Sequence, residues 1–295
     1  MHFFVGILNW YFADLKNFRL SFLRISFSIV YLLMLMDFYP FIEIFFGPNG
    51  PANPISSSRI FLDPLNLFTL IGYKVSVKTW FHFLIVINFF LLVGFFSRLS
   101  FLILFINLIF IQERAIYSMY GADYMFKMLS IWLFFLDLGQ NFSIDKLIRN
   151  KIRLMNSISL KTNKYLNHGF AIRSAQIQLF LIYLTATFTK LLSPIWLSGD
   201  AVFFAMQVPQ TNSGLFNWIL NYPILYKLIS WITILLEATI TSFIFSQNFK
   251  LIAVISALIL HFGIFITMNI PFFFPVSLFG IALLIENDLF KRFSN

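Results

Sequence analysis

The strongest constraint on the fold is a succession of long apolar stretches along the 295-residue chain. A transmembrane helix needs about 20 mostly apolar residues. Because eight stretches meet this requirement, we predict an all-α fold, a polytopic transmembrane helix bundle of about eight spans. Their approximate bounds are residues 21–45, 77–97, 99–117, 123–139, 172–192, 224–246, 250–270 and 272–290.

Composition excludes the soluble alternatives. Hydrophobic residues make up 59% of the chain and charged residues only 11%, whereas a soluble domain has about 25% charged residues. A cytosolic globular enzyme and a disordered chain are both excluded. The absence of cysteine rules out disulfides, thiolate zinc sites and iron–sulfur clusters. The net charge of +9 is better explained by basic membrane loops than by nucleic-acid binding.

The N-terminal part of the chain has two features of its own. We expect residues 1–17 to form an interfacial helix that precedes the transmembrane domain of residues 18–295, because this stretch is too short and too polar to span. It lacks the features of a secretory signal, so we expect it to be retained. The first span contains Asp37 and Pro40, which predicts a kink or an early end and a short helical piece around residues 42–46.

Lysine and arginine positions predict the orientation. With a cytoplasmic N-terminus, 14 of the 21 basic residues fall on the cytoplasmic side and 7 on the other, which places both termini in the cytoplasm. Arg19 and Arg24 are interpreted as anchors at the start of the first span. The non-cytoplasmic segments near 47–76 and 193–223 are rich in proline and glycine, which predicts turns and re-entrant backbone that is buried or lines a cavity. No internal repeat is visible, which argues against an inverted-repeat transporter.

Lys190, Glu237 and His261 lie within predicted spans, where an ionisable residue costs free energy and invites a functional hypothesis. Lys190, at the non-cytoplasmic end of the fifth span, either snorkels to the headgroups or acts as a partly desolvated base. Glu237 lies in the middle of the sixth span and must be protonated, paired or in a wet cavity. His261, central in the seventh span, is either a packing residue or a functional one. No two histidines have metal-ligand spacing, so no metal site is predicted.

A second group of charges ends the third span and opens the fourth, on the same predicted face as Lys190. Glu113 and Arg114 end the third span, and Asp123 and Lys127 open the fourth. Asp123 and Lys127 are spaced i, i+4 and are expected to pair on one helix face. Asp123 also favours a helix N-terminus through the helix dipole.

A set of short motifs runs in order through residues 18–290. Together these motifs resemble the horizontally transferred transmembrane (HTTM) family, which includes the vitamin K-dependent gamma-carboxylase. The most specific of them is Lys190-Leu191 followed by Trp196, Gly199 and Ala201. The others are Phe22-Leu23-Arg24-Ile25, the segment from Phe45 to Gly50, Gly94 to Arg98, Tyr117 to Asp123, Leu136-Asp137, Phe142 to Asp145, Arg173, Tyr183, Val202-Phe203-Phe204 and His261.

The resemblance implies a chemistry for several residues. In the carboxylase, the matching lysine starts the oxygenation of reduced vitamin K; the strong base that results removes a proton from a glutamate side chain, and carbon dioxide adds. By resemblance Lys190 would activate reduced vitamin K or another lipid quinol, and His261 would assist it. We assign pocket or supporting roles to Trp196, Gly199, Glu237, Asp123 and Arg114.

The chain also departs from the carboxylase. The histidine expected near the start of the fourth span is replaced around Ala122 and Asp123, and the chain stops at Asn295 without a lumenal domain. Both departures argue against carboxylation of a protein substrate. The length and the spacing from Lys190 to Trp196 look closer to a bacterial branch that matures a sporulation-delaying peptide toxin. That branch implies a bacterial plasma membrane, a secreted peptide substrate and a small partner protein.

Three function classes therefore stay open. The first is a membrane enzyme with a non-cytoplasmic cavity around Lys190. The second is a non-catalytic partner, immunity or scaffold protein, and the third is a small transporter with a polar path to both faces. The enzyme hypothesis predicts that Lys190, Glu237 and His261 converge on one cavity, whereas the second hypothesis predicts that they have separate neighbours.

Overall fold

The structure is a computed structural model and describes residues 11, 18–47, 76–156, 168–208, 214–246, 248–270 and 272–284. Within these ranges the chain is helical and contains no β-strand, so the all-α prediction is confirmed. The α-helices are α1 (Phe18–Phe38), α2 (Ile42–Phe46), α3 (Val77–Val93), α4 (Ser97–Arg114), α5 (Gly121–Ser130), α6 (Ile144–Asn156), α7 (His168–Leu191), α8 (Pro194–Leu197), α9 (Ala201–Gln207), α10 (Pro223–Phe243), α11 (Lys250–Thr267) and α12 (Phe273–Ala282).

The chain divides into two compact units, Met1–Ala171 and Ile172–Asn295. The boundary falls within the first turn of α7, so most of that helix belongs to the second unit. The prediction had assigned residues 18–295 to one transmembrane domain. Each unit is described by itself below.

Among the residues that the structure describes, three helical segments are long and apolar enough to cross a membrane, judged by length and composition. They are Leu20–Phe46, Pro223–Phe243 and Lys250–Thr267. Helices α3 and α12 are apolar but shorter. Large apolar side chains remain exposed on these helices, for example Leu235 with 64% of its surface accessible, which suits contact with lipid rather than water. Each of the eight predicted stretches overlaps a described helix.

The first predicted stretch breaks where its sequence predicts. Helix α1 ends at Phe38, a 3₁₀ turn covers Tyr39–Phe41 with Pro40 in its first turn, and the chain resumes as α2. Proline fits the first turn of a helix because its missing N–H would have no partner there. The predicted early end is therefore confirmed, and the short piece that follows it is helical.

Aromatic packing forms the centre of the first unit. Phe27 of α1 lies 5.1 Å, centroid to centroid, from both Phe101 of α4 and Phe126 of α5. Tyr31 stacks on Phe27 one turn further along α1. These buried rings bring α1, α4 and α5 into a single core.

Polar side chains tie the helices of the first unit together. The Trp80 indole N–H of α3 donates to Asn107 Oδ1 of α4 at 2.9 Å, and Asn88 Nδ2 donates to the Ser28 carbonyl of α1 at 3.0 Å. All four residues are buried. Such bonds stabilise helix association where no water competes for them.

The fourth predicted stretch is helical but irregular. It consists of α5 followed by a 3₁₀ helix at Ile131–Phe135, after which the chain is extended at Leu136. Since a 3₁₀ helix rises more steeply than an α-helix, these residues together are roughly 25 Å long. The predicted end at residue 139 was therefore too late.

The second unit is built around α10, α11 and α12. Helices α10 and α11 pack against each other, as do α11 and α12. Gln176 Nε2 of α7 donates to the Leu283 carbonyl at 2.7 Å, which caps the end of α12. The Val202 amide of α9 donates to Ser230 Oγ of α10 at 3.0 Å, which fixes the short helix against the long one.

The predicted loops are described in part. Between residues 193 and 223 the structure contains α8, α9 and a 3₁₀ helix at Asn217–Asn221. The described part of this predicted loop is thus made of short helices joined by turns. Residues 48–75, and the predicted interfacial helix of residues 1–17 apart from Tyr11, lie outside the described residues.

Candidate polar site of the second unit

An ion pair between α7 and α10 is the centre of the candidate site. Lys190 lies in the last turn of α7, where a cation interacts favourably with the helix dipole. Its Nζ is 2.8 Å from Glu237 Oε1, and both side chains are largely buried. Each charge therefore offsets much of the desolvation cost of the other. The prediction left open whether Glu237 is protonated, paired or in a wet cavity, and the structure shows it paired.

Trp196 covers the lysine of this pair. Lys190 Nζ lies 4.9 Å from the centre of the Trp196 ring, within the range of a cation–π interaction. Trp196 is carried by α8, the short helix that starts three residues beyond α7. Two residues of the motif that starts at Lys190 are therefore in direct contact.

Gly199 positions that tryptophan. Its backbone has a φ of +83°, which a glycine adopts without strain. A Cβ atom at this position would lie 2.8 Å from Cβ and Cγ of Lys227 on α10. Gly199 therefore allows the α8 turn to lie directly against α10. Asp200 adds an ion pair to Lys227, with 3.7 Å between Oδ1 and Nζ.

His261 is held by a second buried contact on α7. Its Nε2 lies 2.6 Å from Tyr183 Oη, and its ring packs against Phe273 with 5.1 Å between centroids. Tyr183, Thr187 and Lys190 are spaced i, i+4 and i+7, so they share one face of α7. Tyr183 is also within Coulombic reach of the Glu237 carboxylate.

Two buried polar atoms of this group have no hydrogen-bond partner among the described residues. They are Glu237 Oε2 and His261 Nδ1, on residues that are only 7% and 4% exposed. A buried polar atom without a partner costs about 1–3 kcal/mol. The site therefore has unused hydrogen-bonding capacity at two points, which is what a binding site for a polar ligand group needs.

The contacts of the three ionisable residues fall into two pairs. Lys190 contacts Glu237, whereas His261 contacts Tyr183, which lies on the same face of α7 as Lys190. A shallow cleft lined by Leu181, Thr185 and Thr189 lies on the opposite face of α7. Both contacts start from one face of α7, and they remain two separate pairs.

Two predicted supporting residues, Asp123 and Arg114, belong to the first unit. Asp123 Oδ2 accepts a hydrogen bond from the Tyr120 amide at 2.8 Å, which caps α5 as the helix dipole favours. Arg114 lies over the Phe110 ring at 5.7 Å. Both residues are buried and take part in contacts within their own unit.

The predicted pair of Asp123 with Lys127 is wrong. Lys127 Nζ instead lies 3.9 Å from Glu113 Oε1, across the junction between α4 and α5. It also lies over the Tyr124 ring at 5.4 Å. The Asp123 carboxylate turns back to cap its own helix, which removes it from the i, i+4 partner.

Arg24 is the residue whose role the sequence interpretation missed. It was taken for an anchor, yet it is only 1% exposed. Its guanidinium donates to the carbonyls of Leu138 at 2.9 Å and Phe142 at 2.6 Å. The signal was its position one turn inside the apolar stretch, between Leu23 and Ile25, where an anchor at the headgroups is not expected.

Within the described ranges, no three histidine, aspartate or glutamate side chains lie together in a way that would hold a metal ion. No protein-family model matches the chain, and no curated protein or solved structure is significantly similar to it. The residues therefore define a helical protein with three helices of membrane-spanning length and a polar group around Lys190. Membership of the HTTM family stays a prediction from the sequence motifs.

Proposed function

We propose that this chain is a multi-pass membrane protein of the HTTM type, with a non-cytoplasmic acid–base site at Lys190 and Glu237 that acts on a lipid quinol. The observation that carries the proposal is the 2.8 Å ion pair between these two residues, set in apolar helices and leaving Glu237 Oε2 without a partner. The membrane location is supported by the three apolar helices and their exposed side chains. The quinol class, including reduced vitamin K, comes from the family resemblance.

The geometry favours Glu237 Oε2 as the atom that takes the substrate proton. The Lys190 ammonium, paired with a carboxylate, has no lone pair for a proton. A quinol hydroxyl placed at Glu237 Oε2 would donate a hydrogen bond and then its proton, which leaves a quinolate anion and a neutral carboxylic acid. Lys190 would stabilise that anion, because its ammonium would lie beside the new charge in a medium of low dielectric constant. Lys190 thus acts through Glu237, and the predicted role of Lys190 as the direct base is revised.

The aromatic surroundings suit a ring-bearing substrate. The Trp196 ring lies beside the Lys190 ammonium. Tyr183, which contacts His261 of α11, extends the polar face of α7. Glu237 lies two turns from the C-terminal end of α10, within an apolar helix long enough to span a membrane, where a lipid-soluble molecule would meet it. A secreted peptide and a small partner protein remain the second substrate proposal, drawn from the bacterial branch of the family.

A non-catalytic scaffold is the alternative that one observation favours. Two polar contacts of α7, to Glu237 on α10 and to His261 on α11, also tie helices together. The first unit uses the Trp80–Asn107 contact in the same way. On this alternative the ion pair would stabilise the unit and would bind nothing.

The test separates these two functions by replacing the pair in steps. Purified protein in lipid nanodiscs is mixed with vitamin K hydroquinone under controlled oxygen, and both binding and quinol oxidation are measured. We expect Glu237→Gln to abolish oxidation. We expect the double variant Lys190→Met/Glu237→Leu to have a free energy of unfolding close to that of wild type, because both buried charges are removed. We expect it to remain inactive.

Lys227→Gln is the matched control, because Lys227 also has a carboxylate partner on the same unit. It should keep full quinol oxidation. Binding and oxidation that survive in the double variant would contradict the proposal, as would a wild-type protein that neither binds nor oxidises the quinol. Either result would favour the scaffold.

A further inference from the structure

Helix α6 of the first unit presents an apolar face to its surroundings. Ile144, Leu147, Ile148 and Ile152 follow the i, i+3, i+4, i+8 spacing of one helix face, and all four are exposed. Leu147 has 68% of its surface accessible. In water such a face would be buried against a partner, so its exposure indicates a different environment.

The opposite face of α6 is basic. Lys146 and Arg149 lie on it, where Arg149 pairs with Asp137 at 3.7 Å and Lys146 is the group directed to the cleft described below. Lys151 lies on the apolar side, where a long side chain can extend to a polar boundary. Asp145 is the single acidic residue of the helix. A helix that combines a basic face with an apolar face lies in the plane of a membrane interface and favours anionic lipids.

The start of α6 is fixed by Asp145. Its carboxylate accepts hydrogen bonds from the amides of Phe96 and Ser97, both at 2.8 Å, and from Ser97 Oγ at 2.6 Å. The Asp145 amide in turn donates to the Gly94 carbonyl at 2.9 Å. The helix is therefore attached rigidly to the turn between α3 and α4.

Contacts with α1 place this attachment at a membrane boundary. Ser21 Oγ donates to the Asn141 carbonyl at 2.7 Å, and Arg24 donates to Phe142. Ser21 and Arg24 lie in the first turns of the segment Leu20–Phe46, which is apolar and long enough to span a membrane. The chain just before α6 thus lies beside the start of that segment, which the proposed membrane location puts at the membrane surface.

A cleft beside the start of α6 has the mixed lining that a lipid headgroup region requires. Val93, Phe142 and Leu147 supply apolar walls, while Asn141, Lys146 and Asn150 supply polar groups. Lys146 Nζ donates to Asn141 Oδ1 at 2.6 Å. An ammonium has three donors, so one bond to Asn141 leaves capacity for a phosphate oxygen.

We propose that α6 and this cleft form a binding surface for anionic phospholipid, with the apolar face in the acyl boundary and the basic groups at the phosphates. The proposal concerns the first unit and goes beyond the quinol chemistry of the second. It needs the membrane location but no catalytic activity. Charge complementarity selects the occupant, because each basic residue near an anionic surface strengthens binding by roughly 1 kcal/mol.

The placement of α6 is tested with single cysteines, which the cysteine-free chain permits without background. Ile152→Cys on the apolar face and Asn150→Cys on the polar face are spin-labelled in nanodiscs that contain phosphatidylglycerol. Collision with oxygen and with a water-soluble nickel complex is then measured. We expect Ile152 to favour oxygen and Asn150 to favour nickel. Equal preference for nickel at both positions would overturn the interfacial placement.

The lipid preference is tested by removing one charge. Wild type and Lys151→Gln are reconstituted with equal phosphatidylglycerol and phosphatidylcholine, and the lipids that copurify are counted by native mass spectrometry. We expect the phosphatidylglycerol preference to fall about fivefold, as one lost charge at an anionic surface predicts.

Lys78→Gln provides the control, because Lys78 is also exposed in the first unit and lies at the other end of α3. It should leave the preference unchanged. A wild-type protein without preference, or equal losses in both variants, would overturn the proposal. Neither result would bear on quinol oxidation, so failure here is distinguishable from failure of the proposed function.

Discussion

The two units each bury a cation, and they satisfy it in opposite ways. Arg24 in the first unit donates to backbone carbonyls of Leu138 and Phe142, which belong to one loop. Lys190 in the second unit has a carboxylate with a spare oxygen and an aromatic ring. A cation held by carbonyls fixes the backbone and offers a ligand no acceptor. A cation held by a carboxylate keeps a group that can accept a proton, which is why we place the chemistry in the second unit.

The largest effect tests the structural half of this comparison. We expect Arg24→Met to lower the free energy of unfolding by about 4 kcal/mol, because two charge-assisted hydrogen bonds are lost and the carbonyls are left buried. Titration with sodium dodecyl sulfate, followed by circular dichroism, measures the change. Arg98→Met should change the free energy of unfolding little, because Arg98 is exposed at the start of α4. A loss as small as that of the control would mean that Arg24 is an anchor after all.

The next effect concerns the ion pair of the second unit. Glu237→Gln should cost about 3 kcal/mol, because it leaves the Lys190 ammonium buried without its counter-charge. The double variant Lys190→Met/Glu237→Leu should recover most of that loss. Unfolding titrations of Lys190→Met, of Glu237→Leu and of the double variant give the coupling energy. Losses that simply add would show that the two side chains do not interact.

A smaller effect tests how Trp196 is positioned. Gly199→Ala should destabilise the protein by about 1–2 kcal/mol, because alanine disfavours positive φ and its Cβ would meet Lys227. The fluorescence of Trp196 should shift to longer wavelength as the ring leaves Lys190, with the other tryptophans replaced by phenylalanine. Gly214→Ala is the control, since its φ is also positive but nothing lies near its Cβ. Equal spectral shifts in both variants would contradict the positioning role.

The smallest effect concerns the Tyr183–His261 contact. Tyr183→Phe should cost about 1 kcal/mol, the value of one buried hydrogen bond. Tyr183→Phe/His261→Phe should cost less than the sum of the two single changes, because no imidazole is left without a partner. Thermal unfolding of the four proteins in one detergent closes the cycle. Additive losses would show that Tyr183 and His261 do not interact.

Much of the fold was predictable because apolar length and proline placement act locally. The break at Pro40 and the helix at each apolar stretch depend on nearby residues alone. Which residues pair across helices depends on how the helices pack against each other. The spacing of residues along the chain does not reveal that packing. The i, i+4 rule gave Lys127 the wrong partner, because Glu113 on the neighbouring helix competes for it.

The site was predictable only in part, for the same reason. Lys190, Glu237 and His261 were found from their unusual positions in apolar stretches, and Trp196 and Gly199 from a motif. The direct pairing of Lys190 with Glu237 and the contact of Tyr183 with His261 join residues 47 and 78 positions apart. No local pattern indicates such contacts. Asp123 and Arg114 were grouped with Lys190 by predicted membrane face alone, and the structure gives them contacts within the first unit.

The pairing of Lys190 with Glu237 also has a consequence for biosynthesis. Ribosomes make α7 before α10, so the lysine is already present when the acidic helix emerges. An isolated carboxylate in the middle of α10 would make membrane insertion of that helix less favourable by roughly 2.5–3.5 kcal/mol. If α10 leaves the translocon beside α7, Lys190 offsets that cost during insertion itself. The earlier helix then assists the assembly of the later one, independently of any chemistry that the finished protein performs.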